Sequence, residues 1–202
     1  MALDVAIIDS GGANLASLVH ALDRLDAQAV VTTDHELILN APRVLLPGVG
    51  SAGNAMARLR AAGLDTLIPR LAQPVLGICL GMQLLFETSE EGEGGDTRCL
   101  GLIPGRVSRM PASPEHPVPH MGWNSLQVRQ KDALLDGLTD ADYFYYVHSY
   151  AAPVGSHSLA VTTYGADFSA VVRRDNFRGA QFHPERSARP GARLLANFLK
   201  IT

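Results

Sequence analysis

The sequence predicts an α/β protein with a mostly parallel central sheet flanked by helices and an antiparallel extension in the C-terminal half. Up to Phe86, short apolar runs alternate with helical patterns, which requires crossover connections and a sheet covered on both faces. Beyond Phe86, strand-like pieces follow one another with little helix between them, as in antiparallel sheets. The length suits one domain over residues 1–202.

The N-terminal part contains four predicted strands, each an apolar run that is followed by turn residues or a helical pattern. They cover residues 3–8, 29–32, 43–46 and 74–78. Helical periods cover residues 15–25, 52–62 and 64–71. Asn14 is a candidate cap for the first helix, and a further helix is expected to begin within residues 81–86.

The C-terminal half has a different character. Residues 87–98 are acidic and glycine-rich and residues 111–119 carry four prolines, so neither stretch is expected to be regular. Strand-like pieces lie around residues 105–109, 124–128, 143–148, 159–163, 170–173 and 179–182. A helix over residues 191–200 closes the chain.

Composition excludes several classes of function. The 17 basic residues against 20 acidic ones give a net charge of −3, so a nucleic acid partner is not expected. No apolar run approaches the roughly 18 residues of a membrane span, and the N-terminus does not have the pattern of a signal peptide. We therefore expect no membrane association and a cytoplasmic location. The two cysteines, Cys79 and Cys99, are interpreted as free thiols in a reducing compartment.

Residues 77–81, Gly-Ile-Cys-Leu-Gly, lead from a predicted strand into a predicted helix. This is the pattern of a nucleophile elbow, in which small residues two positions before and after the nucleophile permit a strained turn. Such a turn exposes Cys79 at the carboxyl edge of the sheet and at a helix N-terminus, where the helix dipole favours the reactive thiolate. The same pattern also fits a buried core cysteine.

A thiolate nucleophile needs a base and a group that orients the base. His183 follows the apolar run 180–182, and Glu185 comes two residues later. Because residues i and i+2 of an extended segment project to the same side, the Glu185 carboxylate can fix the tautomer of the His183 ring. The other histidines are interpreted as surface or structural residues, although His120 and His148 border apolar pieces and could line a site.

Amide hydrolysis also needs backbone N–H donors for the oxyanion that develops on the substrate. In an elbow, the amide of Leu80 supplies one of them. A second can come from residues 47–50, Pro-Gly-Val-Gly, which follow the neighbouring third strand. Taken alone, these four residues are more typical of an ordinary loop at a strand end.

Neither a dinucleotide site nor a metal site is predicted. Asp34 lies at a suitable distance from the first turn for a dinucleotide fingerprint, but Ala13 and Ala16 stand where that fingerprint requires glycine. The sequence contains no Cys-x-x-Cys pair and no His-Glu-x-x-His helix. No cofactor and no metal are therefore expected.

Three segments together resemble the class I, or triad, glutamine amidotransferases. They are residues 47–50, residues 77–87 and residues 182–185, Phe-His-Pro-Glu, and they follow one another in the family's order. Within the family, residues 121–124 and 148–150 are similar to those of glutaminase subunits that serve histidine biosynthesis. The resemblance covers essentially the whole chain and implies the family's α/β fold.

The resemblance also implies a role for each matching residue. Cys79 matches the nucleophile, His183 the general base and acid, and Glu185 the residue that orients His183. Val49 and Leu80 match the oxyanion donors. The residues that match the glutamine-binding set are Gly50, Gln83, Glu91, Ser149 and Tyr150, and those that match the docking face are Trp123 and Arg186.

The implied reaction is hydrolysis of the side-chain amide of glutamine, with the ammonia passed to a (β/α)8-barrel cyclase subunit in a heterodimer. Two places depart from the family's usual residues: residues 10–14 read Ser-Gly-Gly-Ala-Asn where Tyr-Gly-Met-Gly-Asn is frequent, and Arg186 stands where lysine is usual. Both positions are expected near the partner face, so the departures concern the interface rather than the chemistry.

Three alternatives stay open. One is the glutaminase subunit of another synthase, such as that for anthranilate, aminodeoxychorismate or pyridoxal phosphate, against which Met82 beside Gln83 and the pair Trp123-Asn124 argue. Another is a stand-alone cysteine hydrolase or peptidase, which would need neither glutamine selection nor control by a partner. The third is a catalytically silent binding module, which the presence of nucleophile, base and orienting acid disfavours.

Overall fold

The computed structural model describes residues 3–11, 15–92 and 95–202. Its helices are α1 (Leu15–Asp23), α2 (His35–Asn40), α3 (Ala52–Ala61), α4 (Leu64–Leu67), α5 (Leu80–Gln83) and α6 (Ala188–Phe198). Its strands are β1 (Val5–Ile8), β2 (Ala29–Thr32), β3 (Val44–Gly48), β4 (Val75–Cys79), β5 (Phe86–Ser89), β6 (Thr97–Arg98), β7 (Ile103–Arg109), β8 (His120–Ser125), β9 (Gln127–Val128), β10 (Tyr143–His148), β11 (Tyr150–Ala151), β12 (Ser158–Tyr164), β13 (Ala166–Arg174) and β14 (Phe177–Ala180). Single 3-10 turns cover Ile68–Arg70, Ala133–Leu135 and Pro184–Arg186.

An eight-stranded sheet in the order β2-β1-β3-β4-β14-β13-β12-β9 forms the centre of the molecule. Its pairs from β2 to β14 are parallel, and its pairs from β14 to β9 are antiparallel. The predicted fold class, a parallel core with an antiparallel extension from the C-terminal half, is therefore confirmed. The extension does not all join this sheet, because β10 pairs with β8 alone and β11-β7-β5-β6 form a separate sheet.

The alternation of residues in β1 shows that the central sheet is covered on both faces. Val5 and Ile7 belong to the core beneath α1 and α6, whereas Ala6 and Ile8 belong to the core beneath α3 and α4. All four residues are fully buried. A strand buried on both faces reads as a continuous apolar run rather than an alternating one, which is why this strand is recognisable in the sequence.

Several predicted elements near the site are wrong in detail. The helix expected within residues 81–86 is the single turn α5, after which the chain continues as β5. Residues 87–98, expected to be irregular, contain the end of β5 and the short strand β6. Residues 80–86 are all buried, so the apolar period there carries no information about where the helix ends.

Two further elements differ from the sequence prediction. Helix α2 is not predicted, because it has six residues and buries only Ile38, which is too little for a periodic signal; its first turn is capped by the side chain of Asp34. Strand β3 does not stop at Leu46 but continues to Gly48, which pairs with Cys79. The helix cap predicted at Asn14 lies outside the described residues.

Three glycines allow α5 to lie directly against the main chain of β3 and β4. A Cβ atom built on Gly81 would lie 1.7 Å from the carbonyl oxygen of Leu46. One on Gly77 would lie 2.6 Å from the carbonyl oxygen of Gly81, and one on Gly48 would lie 2.8 Å from the Gly81 nitrogen. Any side chain at these positions would push α5 away from the strand ends that it follows.

This packing predicts that Gly81→Ala destabilises the protein by roughly 3 kcal/mol or more, because the new methyl group overlaps main-chain atoms that cannot move independently. Gly101→Ala is the matched control. Gly101 has a φ of +68°, and a Cβ atom there would have nothing within 4 Å, so alanine costs only the roughly 1–2 kcal/mol of a left-handed backbone. Urea unfolding followed by circular dichroism measures both losses, and equal losses would contradict the steric argument.

Candidate active site

Cys79 ends β4 and forms the turn into α5. Its backbone has φ 54° and ψ −112°, a strained conformation for a residue with a side chain and the one that a nucleophile elbow requires. The turn places the sulfur at the carboxyl end of the parallel strands, where it is 7% exposed. Because α5 has only four residues, its dipole is small. Stabilisation of a thiolate at Cys79 must therefore come mainly from neighbouring groups.

The sulfur lies in a cleft of about 500 Å³. Walls come from the end of β3, from α5, from the loop after β5, from the end of β10 and from the segment after β14. The predicted site residues that line this cleft are Val49, Gly50, Cys79, Leu80, Gln83, Glu91, Ser149, Tyr150, His183 and Arg186. Two predicted residues are not part of its lining: Glu185 lies behind His183, and Trp123 lies on the exposed surface.

Hydrogen bonds fix both the ring and the main chain of His183. Its Nδ1 lies 2.9 Å from Oε1 of Glu185, and both side chains are buried. Its main-chain N–H donates to the carbonyl of Tyr145 at 2.9 Å, and its carbonyl accepts from the Ser187 hydroxyl at 2.6 Å. Since Nδ1 contacts Glu185, Nε2 is the ring nitrogen left to interact with the sulfur of Cys79, which lines the same cleft.

The charge of the His183 ring follows from these partners. Burial by itself lowers the pKa of His183, but its interactions with Cys79 and Glu185 outweigh that effect and raise the pKa to about 10. The ring therefore carries its second proton at neutral pH. A protonated imidazole beside a sulfur atom favours the ionised, nucleophilic form of the sulfur.

The loop after β3 lies beside the elbow. Gly50 has a φ of +87° and open space around it, so the peptides of Val49 and Gly50 have conformational freedom that other residues would not give. Ser10 is buried, and its hydroxyl donates to the Pro47 carbonyl at 2.8 Å. Ser10 itself is thus inside the protein beside residues 47–50, whereas Gly11 is exposed and residues 12–14 lie outside the described residues, so the expectation that this turn faces the partner stays a prediction.

Gln83 is oriented into the protein interior rather than only toward the cleft. It is 3% exposed, and its amide nitrogen donates to the Tyr150 carbonyl at 2.8 Å and to Oε1 of Gln181 at 2.9 Å. The amide nitrogen of Gln181 in turn lies 3.8 Å from the sulfur of Cys79. Sequence reasoning missed Gln181, because residues 181 and 182 form a bend after β14 and the direction of the Gln181 amide depends on contacts with distant residues.

Two histidines extend this arrangement. His148 Nδ1 lies 2.8 Å from the Tyr150 carbonyl, and its Nε2 lies 3.2 Å from Nδ1 of His120. Burial lowers the pKa of His148 to about 3 and that of His120 to about 4. Both rings are therefore neutral at pH 7. His148 lines the cleft, whereas His120 packs between the rings of Tyr146 and Tyr164.

Glu91 supplies a carboxylate to the cleft. Its Oε2 accepts a hydrogen bond from the main-chain N–H of Ala52 at 2.9 Å. Burial raises the pKa of Glu91, and the bond from Ala52 partly offsets that effect. A half-buried carboxylate in a cleft is suited to pair with an ammonium group of a small ligand.

The second cysteine has a different environment. Cys99 is buried against the apolar core on the β5 side of the sheet, and burial raises the pKa of its thiol to about 11. It is therefore a neutral thiol at pH 7, without the character of a nucleophile.

Among residues 3–11, 15–92 and 95–202, no group of three His, Cys, Asp or Glu side chains is arranged to hold a metal ion.

An exposed aromatic surface adjoins the cleft. Trp123 is 52% exposed and contacts the ring of Tyr145, over which the guanidinium of Arg186 lies at 4.7 Å. Met121 and Tyr143 are 63% and 56% exposed on the same pair of strands, β8 and β10. Trp123, Arg186 and these three neighbours are called the aromatic face below.

In the ranges that the structure describes, every helix is too short or too polar to cross a membrane.

The sequence and the fold were compared with known proteins. The family model of class I glutamine amidotransferases matches residues 6–201. The chain is 52% identical to the imidazole glycerol phosphate synthase subunit HisH of Xanthomonas campestris pv. campestris, over 98% of both chains. It is 50% identical to the imidazole glycerol phosphate synthase subunit HisH 2 of Legionella pneumophila subsp. pneumophila, again over 98% of both chains.

Solved structures agree on the fold. A crystal structure of a glutamine amidotransferase superposes with a TM-score of 0.73 at 19% identity, over 97% of both chains. The structure of a putative GMP synthase subunit from Thermoplasma acidophilum gives a TM-score of 0.73 at 17% identity, over 98% of this chain and 93% of the other. At these identities the superpositions establish the fold alone.

The two neutral histidines predict loss of stability in acid. The unfolded chain binds protons at these rings near their ordinary pKa of 6.5, whereas the folded protein binds them only near pH 4 and pH 3. Stability therefore falls as the pH falls below about 6.5, by roughly 2 kcal/mol per histidine at pH 5. Urea unfolding at pH 7 and pH 5 measures the loss in the wild type, in His120→Gln and in His20→Gln, the control, whose histidine lies exposed on α1. If the free energy of unfolding falls as steeply with pH in His120→Gln as in the wild type, the assignment to His120 is contradicted.

Proposed function

The chain belongs to the class I glutamine amidotransferase family and acts as the glutaminase subunit of an imidazole glycerol phosphate synthase, and we propose that Cys79, His183 and Glu185 are its catalytic residues. The observation that carries the proposal is the convergence of a strained Cys79 elbow and a buried His183–Glu185 pair on one cleft. The proposal takes residues 1–202 as one glutamine amidotransferase domain, since the family model spans residues 6–201.

In the first step, the ionised sulfur of Cys79 attacks the side-chain carbonyl carbon of glutamine, and a tetrahedral oxyanion forms. The main-chain amides of Leu80 and Val49 are proposed as its donors, because both residues line the cleft beside the sulfur. His183 already carries a proton at neutral pH, so it acts as the acid that protonates the departing ammonia. The product of this step is a thioester on Cys79.

In the second step, water hydrolyses the thioester. His183 has given its proton to the ammonia and is now neutral, so it can take a proton from the attacking water. Glu185 holds the ring in place throughout and stabilises its positive charge when the proton returns. Glutamate leaves, and the sulfur and the protonated ring are restored.

Selection of glutamine is assigned to other residues that line the same cleft. Glu91 is proposed to pair with the α-ammonium group of the substrate, for which its half-buried carboxylate is suited. Gly50, Ser149 and Tyr150 line the same cleft and complete the proposed binding set. Gln83 belongs to this set through its carbonyl oxygen, because its amide nitrogen already has two acceptors within the protein.

As part of a synthase, the chain works with a second subunit, which we propose to be a (β/α)8-barrel cyclase in a heterodimer. The aromatic face is the proposed docking surface, because it exposes Trp123, Met121 and Tyr143 beside the cleft from which ammonia must leave. Large aromatic side chains and arginine are typical of the residues that contribute most to protein interfaces. A cytoplasmic location is also proposed, because the two free cysteines fit a reducing compartment.

Cys79→Ser is expected to abolish glutamine hydrolysis while leaving the fold intact, because a hydroxyl group has nearly the size of a thiol but is not ionised near neutral pH. Synthesis from added ammonium salts by the complex is expected to continue. Cys99→Ser is the control and is expected to keep wild-type turnover. Steady-state release of glutamate in the presence of the cyclase partner measures all three, and residual turnover near that of the wild type in Cys79→Ser would refute the nucleophile.

Trp123→Ala and Arg186→Ala are expected to lower partner-stimulated glutamine hydrolysis, or the affinity for the partner, by roughly tenfold or more, and to affect the basal rate of the isolated chain less. The reason is that both side chains lie on the proposed docking surface. Leu39→Ala is the matched control, because Leu39 is a similarly exposed apolar residue on α2. Titration of hydrolysis with the cyclase partner separates affinity from turnover. Full partner stimulation in both variants would place the docking surface elsewhere.

A further inference from the structure

We propose that Gln181 is a positioning residue that holds the sulfur of Cys79 in its ionised form by donating a side-chain N–H to it. The inference rests on the proposed function of Cys79 as the nucleophile. Gln181 is fully buried directly after β14, and its amide nitrogen lies 3.8 Å from the sulfur. It is two residues before His183, so the short segment after β14 brings both side chains to the sulfur.

The direction of the Gln181 amide is fixed by a chain of hydrogen bonds that starts at a carbonyl oxygen. The Tyr150 carbonyl can only accept, so the group of Gln83 that contacts it at 2.8 Å must be the amide NH₂. The same NH₂ lies 2.9 Å from Gln181, and it must find an acceptor there. The oxygen of Gln181 therefore faces Gln83, and its NH₂ faces Cys79.

A further donor secures the start of the chain. The Tyr150 carbonyl also accepts from Nδ1 of His148 at 2.8 Å, which makes Nδ1 the protonated nitrogen of that neutral ring. Nε2 of His148 is then an acceptor, and it receives the N–H of His120 at 3.2 Å. Every donor in this buried chain meets an acceptor, so turning the Gln181 amide over would break the bond with Gln83.

The sulfur has neighbours that act in opposite directions. The Val147 carbonyl, 3.9 Å away, accepts from a neutral thiol and so favours the un-ionised form. The Gln181 amide and the protonated His183 ring donate and favour the anion. The other titratable or charged groups that face the sulfur across the cleft or behind His183 are His148, Glu91, Glu185 and Arg186.

Gln181 does not line the cleft, so it acts on the sulfur rather than on the substrate. Loss of its donor should therefore lower kcat and leave KM within about twofold. It should also shift the pH dependence of the sulfur's reactivity upward, since a hydrogen bond to a charged group is worth about tenfold in an equilibrium constant. A residue that only filled space would change stability without moving that pH profile.

The test uses two variants of the full chain, each carrying Cys99→Ser. Gln181→Met removes the donor with little change of volume. Gln181→Glu keeps an acceptor for Gln83 and loses the donor, so it preserves the chain of hydrogen bonds and is decisive if the methionine variant fails to fold. Gln73→Met and Gln73→Glu are the matched controls, because the Gln73 amide donates to the Ile38 carbonyl at 2.8 Å, far from the cleft.

Alkylation of Cys79 by iodoacetamide is followed by mass spectrometry from pH 5 to pH 10, and kcat and KM for glutamine are measured in the complex with the cyclase partner. We expect the pH of half-maximal alkylation to rise by about one unit in Gln181→Met and by more in Gln181→Glu, with kcat about tenfold lower. The Gln73 variants should match the wild type. Profiles of the Gln181 variants that coincide with those of the wild type, or Gln73 variants that shift equally, would overturn the inference.

The outcome distinguishes this inference from the proposed function. If Cys79→Ser keeps glutaminase turnover, the nucleophile assignment fails, and the inference fails with it. If Cys79→Ser is inactive and the Gln181 variants keep both the wild-type pH profile and the wild-type kcat, the nucleophile stands and the role of Gln181 is refuted.

Discussion

The contact between Gly81 and the Leu46 carbonyl is the constraint on which the rest of the site depends. Because no side chain separates them, α5 begins directly against β3, and the chain can make that turn only with Cys79 in a strained backbone conformation. Gly48 pairs with Cys79 in the same register, so residues 49 and 50 come to lie beside the sulfur. One steric contact thus places both the proposed nucleophile and the proposed oxyanion donors.

The polar surroundings of the sulfur depend on a different kind of constraint, the pairing of buried polar groups. A buried N–H without an acceptor costs more than its hydrogen bond returns, so each amide in the interior adopts the direction that satisfies all its partners. The Tyr150 carbonyl is the fixed point, since it accepts from both Gln83 and His148. From there the direction of each donor follows, as far as Gln181 and Cys79. Gln83, which the sequence resemblance assigns to the glutamine-binding set, therefore also orients Gln181 behind the proposed nucleophile.

The sequence predicts those parts of this arrangement that depend on local patterns. Strands β2 and β10 have the predicted bounds, and the parallel core follows from the alternation of apolar runs and helical periods. The order of the motifs brings Cys79 and His183 to one edge of the sheet, as expected from parallel strands. What the sequence does not predict depends on contacts between distant residues. Helix α5 ends after one turn inside a wholly buried stretch, and Gln181 faces Cys79 only because Gln83 and Tyr150 orient it.

Strand β8 shows how the exposed face and the buried chain of hydrogen bonds are joined. Successive residues of a strand point to opposite sides, so His120 faces inward while Met121 is exposed. The register pairs His120 with His148 and Trp123 with Tyr145, so one short strand pair contributes to both regions. In the proposed heterodimer, a partner bound on Trp123 rests on the same strand that ends the chain of hydrogen bonds at His120. Arg186 makes the second connection, because it lies over Tyr145 and also lines the cleft, three residues after His183 in the same short segment. The proposed docking surface and the sulfur are therefore connected through the strand pair β8–β10 and through the segment that carries His183 and Arg186.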